Sequence, residues 1–414
     1  MHPILGIHKR LTLIPQGIII VLTAFLPIFA IISMFPALPS IIEHFSDNPN
    51  ARELVPLMVS APGLAIAALA PFAGYFVDRF GRLPLLLWST FFYGIFGFAP
   101  FLLDNLTLMF FSRLCLGVCE AGILTVSYTL IGDYWDEEGR KDWYFLQGLA
   151  APALGALAIW ASGPITELRW NGIFSVYAFA IVLFFLMKIF LFEPDSSNAE
   201  AEAQEDDRTI DEQESKVPFP VFPMLVVALT TLFASAIYYE LIISGGLAFN
   251  EMGITSPSEI SKISAIPSLF VLLGAFIFRL ISHYSYQIQL GSFFGILCAG
   301  ITLIGLAESV PALVAGLVIQ QTGQGMALGV LMTWTQSKLP FQHRGVGVGI
   351  WTSCFFFGQF SSPWLVTRIE QFTGSVQAAF VFSGAAGLIL AVCLFATHVK
   401  IAMSTNESKP APQN

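Results

Sequence analysis

Charged residues are scarce in this chain. They make up 11% of its 414 residues, whereas a soluble globular domain carries about 25%. The sequence is instead 55% hydrophobic, contains 39 phenylalanines and has a mean hydropathy of +0.73. No soluble core could enclose this much apolar sequence, so the composition excludes a soluble protein and indicates an integral membrane protein.

Several chemical signatures are also missing. The sequence has no Gly-x-x-x-x-Gly-Lys-Ser/Thr loop for ATP and no soluble segment long enough for catalysis, so we do not expect an enzyme. Any transport must then be driven by a gradient. The five cysteines lie in apolar runs, which is typical of reduced packing residues. Cys115 and Cys119 have no histidine nearby, so a metal site formed by these cysteines is not expected. We also expect no other cofactor and no nucleic-acid partner.

Long apolar runs dominate what is present. A bilayer requires about 20 apolar residues per helix, and twelve runs qualify. The first has no small-residue cleavage site, so it is interpreted as a helix and not as a removable signal peptide. The predicted helices are 15–42, 54–77, 83–103, 106–131, 143–163, 172–192, 219–249, 259–282, 288–307, 310–336, 345–367 and 375–398.

One acidic, polar stretch separates the sixth run from the seventh. It contains few large apolar groups, so we predict a disordered or loosely helical linker, with an acidic segment that binds a partner as the alternative. The expected organisation is an N-terminal bundle at 1–192, the linker at 193–218, a C-terminal bundle at 219–400 and a tail at 401–414.

Lysine and arginine are distributed unevenly between the predicted loops. With twelve helices and a cytoplasmic N-terminus, fourteen of them fall on the cytoplasmic side and four outside. Positive residues favour the cytoplasmic side, and an odd number of helices would destroy this bias. We therefore predict cytoplasmic termini and a location in the plasma or inner membrane.

The loop between the second and third helices reads Gly-Tyr-Phe-Val-Asp-Arg-Phe-Gly-Arg from Gly74 to Arg82. A positive-inside hairpin loop would explain its charges. Its spacing, however, resembles the signature loop of the major facilitator superfamily, with Gly74, Asp78, Arg79, Gly81 and Arg82 at the matching positions. The resemblance implies an all-α membrane protein with 12 transmembrane helices in two pseudo-symmetric six-helix bundles.

An internal repeat is in keeping with two bundles. Gly74 to Arg79 is matched by Gly274 to Arg279 at another cytoplasmic helix end, although Phe278 replaces the aspartate. Such repeats are typical of transporters with a binding site near the membrane midplane.

Three charged residues lie inside predicted helices: Arg113 and Glu120 in the fourth, and Glu240 in the seventh. Each costs at least ~2.5 kcal/mol to insert near a helix centre. Arg113 and Glu120 share a helix face, about 10 Å apart along the axis. This separation is too long for a tight direct pair, but it allows each residue to influence the other through water or substrate. Structural charges that reach other helices are one interpretation. The alternative is a proton site, because an arginine that approaches and leaves a buried carboxyl group would make it release and bind a proton.

The fourth-helix sequence from Arg113 to Ala121 is similar to a superfamily motif whose arginine is tied to proton coupling in exporters. Glu120 replaces a small residue of that motif. Glu240 is a candidate second coupling group or substrate contact, or an anchor for an unwound segment near Gly245 and Gly246.

Substrate-binding candidates lie on the tenth helix, where Gln320 and Gln324 share a face and Gln321 is adjacent. Hydrogen bonding to a substrate and interhelical hydrogen bonding both fit these amides. The resemblance implies a central cavity lined by the first, fourth, seventh and tenth helices, and hence by Tyr128 and Tyr238.

The resemblance also implies a latch. In the family, the aspartate of the signature loop faces the start of the eleventh helix when the transporter is outward-facing. In this chain the resemblance implies that Asp78 faces a helix that starts at Arg344. A carboxylate at a positive helix end contributes ~0.3–1 kcal/mol.

The sequence as a whole favours a monomeric, proton-coupled secondary transporter of a small organic molecule. A degraded Gly-Pro-rich motif at 148–155 resembles that of superfamily antiporters and favours export. The alternatives are a proton-coupled uptake symporter for an organic acid or other nutrient, and a non-transporting membrane sensor.

Overall fold

The computed structural model describes residues 13–193 and 218–407. Residues 194–217 of the predicted linker and the end of the predicted tail lie outside this part. The N-terminal half contains helices α1 to α8, which are Ile14–Ile32, Leu38–His44, Ala51–Leu69, Ala73–Phe80, Arg82–Leu102, Leu106–Tyr134, Glu137–Leu168 and Phe179–Phe190. The C-terminal half contains α9 to α15, which are Val221–Glu251, Pro257–Ser268, Val271–Ile281, Tyr286–Gly305, Val310–Ser337, Arg344–Thr373 and Val376–Glu407.

The prediction of an all-α membrane protein is confirmed. In the described part, ten helical segments are long and apolar enough to cross a membrane. The predicted tenth and eleventh helices are present as α13 and α14, but they are not among these ten apolar segments. In α13 the glutamines at 320, 321 and 324 lower the local hydropathy. The twelve predicted runs thus each have a helical counterpart, consistent with the predicted count.

Three of the predicted helices are interrupted in the structure, and the sixth begins with a 3₁₀ segment at Gly172–Ala178 ahead of α8. The first is broken between α1 and α2, the second contains a 3₁₀ turn at Ala70–Phe72, and the eighth is broken between α10 and α11. Pro36, Pro71 and Pro267 lie at or just before these breaks. Proline has no N–H and clashes with the carbonyl four residues earlier, which ends or kinks a helix.

The two halves pack separately and meet along defined seams. In the N-terminal half α6 packs against α3 and α5, and in the C-terminal half α12 packs against α13 and α15. Between the halves, α3 packs against α14 and α7 against α10. Large apolar side chains that remain exposed cover much of the outer surface, including Phe372, Ile189 and Phe222, as expected for a surface in contact with lipid.

Candidate functional site

Arg113 is fully buried inside the N-terminal half and binds the end of α1. Its Nη1 donates to the Tyr177 hydroxyl at 2.8 Å and its Nη2 to the carbonyl of Ala30 at 3.1 Å. The guanidinium also lies over the rings of Phe174 and Tyr177, at 5.6 and 5.2 Å from their centroids. Arg113 therefore has charge-assisted hydrogen bonds and aromatic contacts, and no carboxylate of residues 13–193 or 218–407 forms an ion pair with it.

The carbonyl of Ala30 is available because α1 ends here. The amide of Met34, which would bond Ala30 in a continuing helix, donates to Ile31 instead at 3.2 Å. The last carbonyls of a helix need partners from outside, and a cation near this negative end is stabilising. Tyr177 donates a second hydrogen bond to the same carbonyl at 3.0 Å. The structure thus gives Arg113 a structural role at the break in the first transmembrane segment, and its predicted coupling role stays a prediction.

Glu120 is the middle residue of α6 and is 2% exposed. Its Oε1 atom has no hydrogen-bond partner, and no ion pair joins it to Arg113, although both residues are in the described part. A buried polar atom without a partner costs about 1–3 kcal/mol. A proton on this oxygen, or a donor group of a ligand, would remove that cost.

Tyr93 occupies the region between the two charged residues. Its hydroxyl donates to the carbonyl of Leu26 at 2.7 Å, and its ring lies 5.4 Å from that of Tyr177. It interacts electrostatically with both Arg113 and Glu120. Sequence reasoning missed Tyr93 and Tyr177 because neither is charged and each is distant from α6 in the chain.

An aromatic cluster of the C-terminal half approaches Glu120. The cluster consists of Tyr238 and Tyr239 on α9 and of Trp351 and Phe355 on α14. Phe355 is its centre, with ring centroids 5.6, 5.7 and 5.2 Å from those of Tyr238, Tyr239 and Trp351. Tyr239 interacts electrostatically with Glu120 across the two halves. Trp351 and Phe355 are four residues apart, and this spacing could have predicted from the sequence that both rings lie on the same face of α14.

The three glutamines of α13 differ in their surroundings. Gln324 lies close to the Tyr238 hydroxyl, and its buried Oε1 atom has no hydrogen-bond partner among the described residues. Gln320 packs against Gly300 of α12 within its own half, and neither polar atom of its side-chain amide has a partner. Gln321 is half-buried. Only Gln324 is therefore brought next to the aromatic cluster.

Tyr128 lies on α6 beyond Glu120, toward the Arg82 end of the molecule. Its side chain is 50% exposed and its ring centroid is 6.4 Å from that of Tyr144 on α7. At eight residues from Glu120 it is about 12 Å further along the helix axis. It is thus accessible but separate from the aromatic cluster.

Glu240 points into the C-terminal half, away from Glu120. Both of its carboxylate oxygens lie 2.7 Å from the Ser383 hydroxyl of α15, and it interacts electrostatically with Cys298 of α12. The suggestion that it anchors an unwound segment was wrong, because α9 is continuous from Val221 to Glu251. Gly246 instead allows close approach to α2, since a methyl group here would lie 3.1 Å from Pro39.

The stretch from Gly74 to Arg82 is not the loop predicted from the sequence, because α4 continues to Phe80 and α5 begins at Arg82. The chain turns at the single residue between them, Gly81. Gly81 has φ +79°, which favours glycine. Arg79 donates to the Tyr75 hydroxyl at 2.6 Å, and Arg82 forms a 2.5 Å ion pair with Asp133 at the end of α6. The side chain of Asp78 lies outside the described part, so the latch stays a prediction.

Two further features of this end are clear. The Glu193 carboxylate accepts hydrogen bonds from the amides of Arg82 and Leu83 at 2.9 and 2.7 Å, and so caps the start of α5. The expected start of the eleventh helix at Arg344 is confirmed, because α14 begins there. Sequence reasoning had placed Glu193 in the linker without a role.

Comparisons with known proteins agree with this architecture. The family model of the Major Facilitator Superfamily matches residues 20–363 and 248–413. An "Efflux pump dotC" from Dothistroma septosporum is 31% identical over 157 residues, which are 36% of this chain and 26% of that protein. A "Tetracycline resistance protein, class E" from Escherichia coli is 24% identical over 211 residues, 48% of this chain and 49% of that protein. The matches therefore span about a quarter and about half of these relatives' own lengths.

Solved structures share the fold at low sequence identity. The xylose transporter XylE from Escherichia coli, in an inward-open conformation, has a TM-score of 0.72 and 13% identity, covering 93% of this chain and 96% of that chain. An inward-facing, occupied bacterial homologue of the human lysosomal transporter Spinster has a TM-score of 0.70 and 15% identity, covering 97% and 98%. The family model matches most of the sequence and the fold agrees with it, so the chain belongs to the Major Facilitator Superfamily.

Proposed function

We propose that this protein is a proton-coupled secondary transporter that exports a small, ring-bearing organic molecule by alternating access. It acts as a monomer in the plasma or inner membrane, with both termini in the cytoplasm. The superfamily match and the uneven distribution of lysine and arginine support this assignment. The names of the two relatives, an efflux pump and a tetracycline resistance protein, support export.

The unpaired carboxyl oxygen of Glu120 is the single observation that carries the proposal. It lies at the centre of α6, is almost fully buried, and is within electrostatic reach of Tyr239 in the opposite half. A site near the midplane and between the halves is where a transporter of this architecture binds substrate and coupling ion. Glu120 is thus placed to bind a proton in one conformation and a substrate donor group in another.

Arg113 sets the direction of this exchange. In the structure it is held by Ala30 and Tyr177, and it forms no ion pair with Glu120 among the described residues. When the break at the end of α1 rearranges, Arg113 loses the Ala30 carbonyl and turns toward Glu120. The cation then stabilises the ionised carboxylate, and the proton leaves.

The aromatic cluster forms one wall of the proposed substrate cavity. Tyr238 and Gln324 supply a hydroxyl and an amide, and the neighbouring rings supply apolar area for a ring-bearing substrate. Tyr128 and Gln321 line the cavity nearer the Arg82 end. Because Gln320 packs against Gly300, it contributes through interhelical packing and not through substrate contact.

Glu240 is a second proton-binding group, separate from the substrate. Its hydrogen bond to Ser383 joins α9 to α15, so a change in its ionisation alters packing within the C-terminal half. The latch of Asp78 with the start of α14 at Arg344, flanked by Gly74, Arg79, Gly81 and Arg82, holds the outward-facing state.

Transport in proteoliposomes with an imposed pH gradient tests the proposal. A panel of ring-bearing compounds that includes tetracycline is added to protein in both orientations, and substrate and proton fluxes are followed together. Export requires substrate and protons to move in opposite directions. Movement in the same direction would instead identify an uptake symporter.

A protein that moves no compound under any gradient would contradict the proposal and favour the sensor. Deleting residues 196–214 separates these cases, because a transporter that uses the linker only as a tether keeps its flux.

A further inference from the structure

The seam between α7 and α10 carries a contact between a carboxylate and a helix start. Glu167 lies one residue before the end of α7. Its Oε1 and Oε2 accept hydrogen bonds from the hydroxyls of Ser256 and Ser258, each at 2.5 Å, and Oε1 also accepts from the amide of Ser258 at 3.2 Å. The carboxylate of one half therefore caps the first turn of a helix in the other half.

The local sequence accounts for this geometry. Helix α10 begins at Pro257, and the hydroxyl of its N-cap Ser256 also accepts from the amide of Glu259 at 3.3 Å. The first amides of a helix have no intrahelical partner, and the positive end of the helix attracts an anion. Glu167 adds a full negative charge to a helix start that the serines already prepare.

A glycine one turn before Glu167 allows the backbones to approach. A methyl group at Gly163 would lie 2.8 Å from the Cα atom of Ser258, which is too close for any real contact. Gly163 and Glu167 are four residues apart and share a face of α7. The seam is therefore built by a small residue that permits contact and an acidic residue that bonds across it.

The other seam, between α3 and α14, is joined at the same end of the molecule by ion pairs. Arg52 pairs with Glu370, and Glu53 with Arg368 at 3.4 Å. The side chains of Arg52 and Arg368 are 49% and 50% exposed, and exposed ion pairs contribute little to stability. The carboxylate cap differs from these pairs in that one carboxylate accepts three hydrogen bonds from the start of a helix in the other half.

Two glycines on helices of these seams, nearer the opposite end, have no close neighbour. A methyl group added at Gly148, on α7 toward the Arg82 end, or at Gly345, at the start of α14, would meet no atom within 4 Å. Glu167 bonds across the halves at the end where both seams carry described polar contacts, its own cap on α10 and the ion pairs between α3 and α14. A contact made in only one conformation stabilises that conformation.

We propose that Glu167, Ser256 and Ser258 form a clamp that holds the two halves together at the end opposite Arg82. The clamp has the same chemistry as the latch proposed for Asp78, a carboxylate on the start of a helix of the other half, but acts at the other end. The two would then favour opposite states of the alternating-access cycle. The clamp rests on the two-state cycle of the proposed function but requires no particular substrate or coupling ion.

A distance measurement between the halves tests the clamp. Spin labels are placed at the exposed positions Asp47 and Phe372 of the full chain in nanodiscs, after replacement of the five native cysteines. Glu167→Gln removes the charge while keeping the shape, and a cavity of about 320 Å³ beside Glu167 leaves the side chain open to water. We expect the ratio of long to short distances to rise about fivefold, the ratio that a helix-end interaction of ~1 kcal/mol produces.

Two further variants make the result specific. Glu43→Gln changes a carboxylate that lines the same cavity and should leave the distances unchanged. The double variant Ser256→Ala, Ser258→Ala should reproduce the shift, and adding Glu167→Gln to it should produce little more, because the groups act as one unit. Unchanged distances in Glu167→Gln, or a full additional shift in the triple variant, would overturn the clamp. A failure of transport in the wild-type protein would leave these distances unaffected, so the two proposals fail separately.

Discussion

The hydroxyl of Tyr177 makes a sharp test of how Arg113 is held. Tyr177→Phe removes the acceptor of the 2.8 Å bond from Arg113 and the donor of the 3.0 Å bond to Ala30. A hydrogen bond to a charged group contributes about 1.5–3 kcal/mol. The Ala30 carbonyl and the aromatic ring remain as partners of Arg113, so we expect a loss of about 2 kcal/mol in the free energy of unfolding.

The assay is denaturant unfolding of the purified protein in one detergent, compared with a matched control. Tyr144→Phe removes a hydroxyl that donates to the carbonyl of Tyr128 at 3.2 Å from a side chain that is 41% exposed. It should cost less than about 0.5 kcal/mol. Equal stability of the Tyr177→Phe variant and the wild type would refute the assignment of this hydroxyl as a partner of Arg113.

Two predictions concern the ends of the molecule and use the same distance measurement as the clamp. Gly163→Ala should increase the population with a long distance between the two halves, because its methyl group would meet Ser258. Gly148→Ala on the same helix is the control and should leave that population unchanged. Equal effects of the two substitutions would contradict the close packing of α7 against α10. Asp78→Asn should weaken the outward-facing state and decrease the long-distance population. An unchanged population in that variant would contradict the latch.

The sequence predicts the helices well because their signal is local. Apolar runs of sufficient length locate the ten membrane-spanning segments of the described part, and the glycines after Arg344 mark the start of α14. The breaks near Pro36, Pro71 and Pro267 were harder to predict, because proline is tolerated inside some membrane helices. Helix α3 contains Pro56 and Pro62 and is nevertheless continuous, so the presence of a proline does not by itself predict a helix break.

The partners of the site residues were out of reach for a different reason. Arg113 bonds residues 83 and 64 positions away in the chain, and no local pattern specifies such contacts. Its spacing from Glu120 is too long for a tight direct pair, but the sequence does not show that the carbonyl of Ala30 at the end of α1 is its partner. The pairing of Glu167 with Ser256 was equally hidden, since both appear in the sequence only as polar residues near loops.

The central claim is that Glu120 binds and releases the coupling proton. The most direct measurement compares wild type and Glu120→Gln in proteoliposomes, with and without a pH gradient, for a substrate that the wild type transports. The variant should still exchange substrate across the membrane without a gradient but should lose accumulation driven by protons. Glu259→Gln, which changes an exposed carboxylate on α10, should behave as wild type. Proton-driven accumulation by Glu120→Gln at the wild-type level would contradict the account.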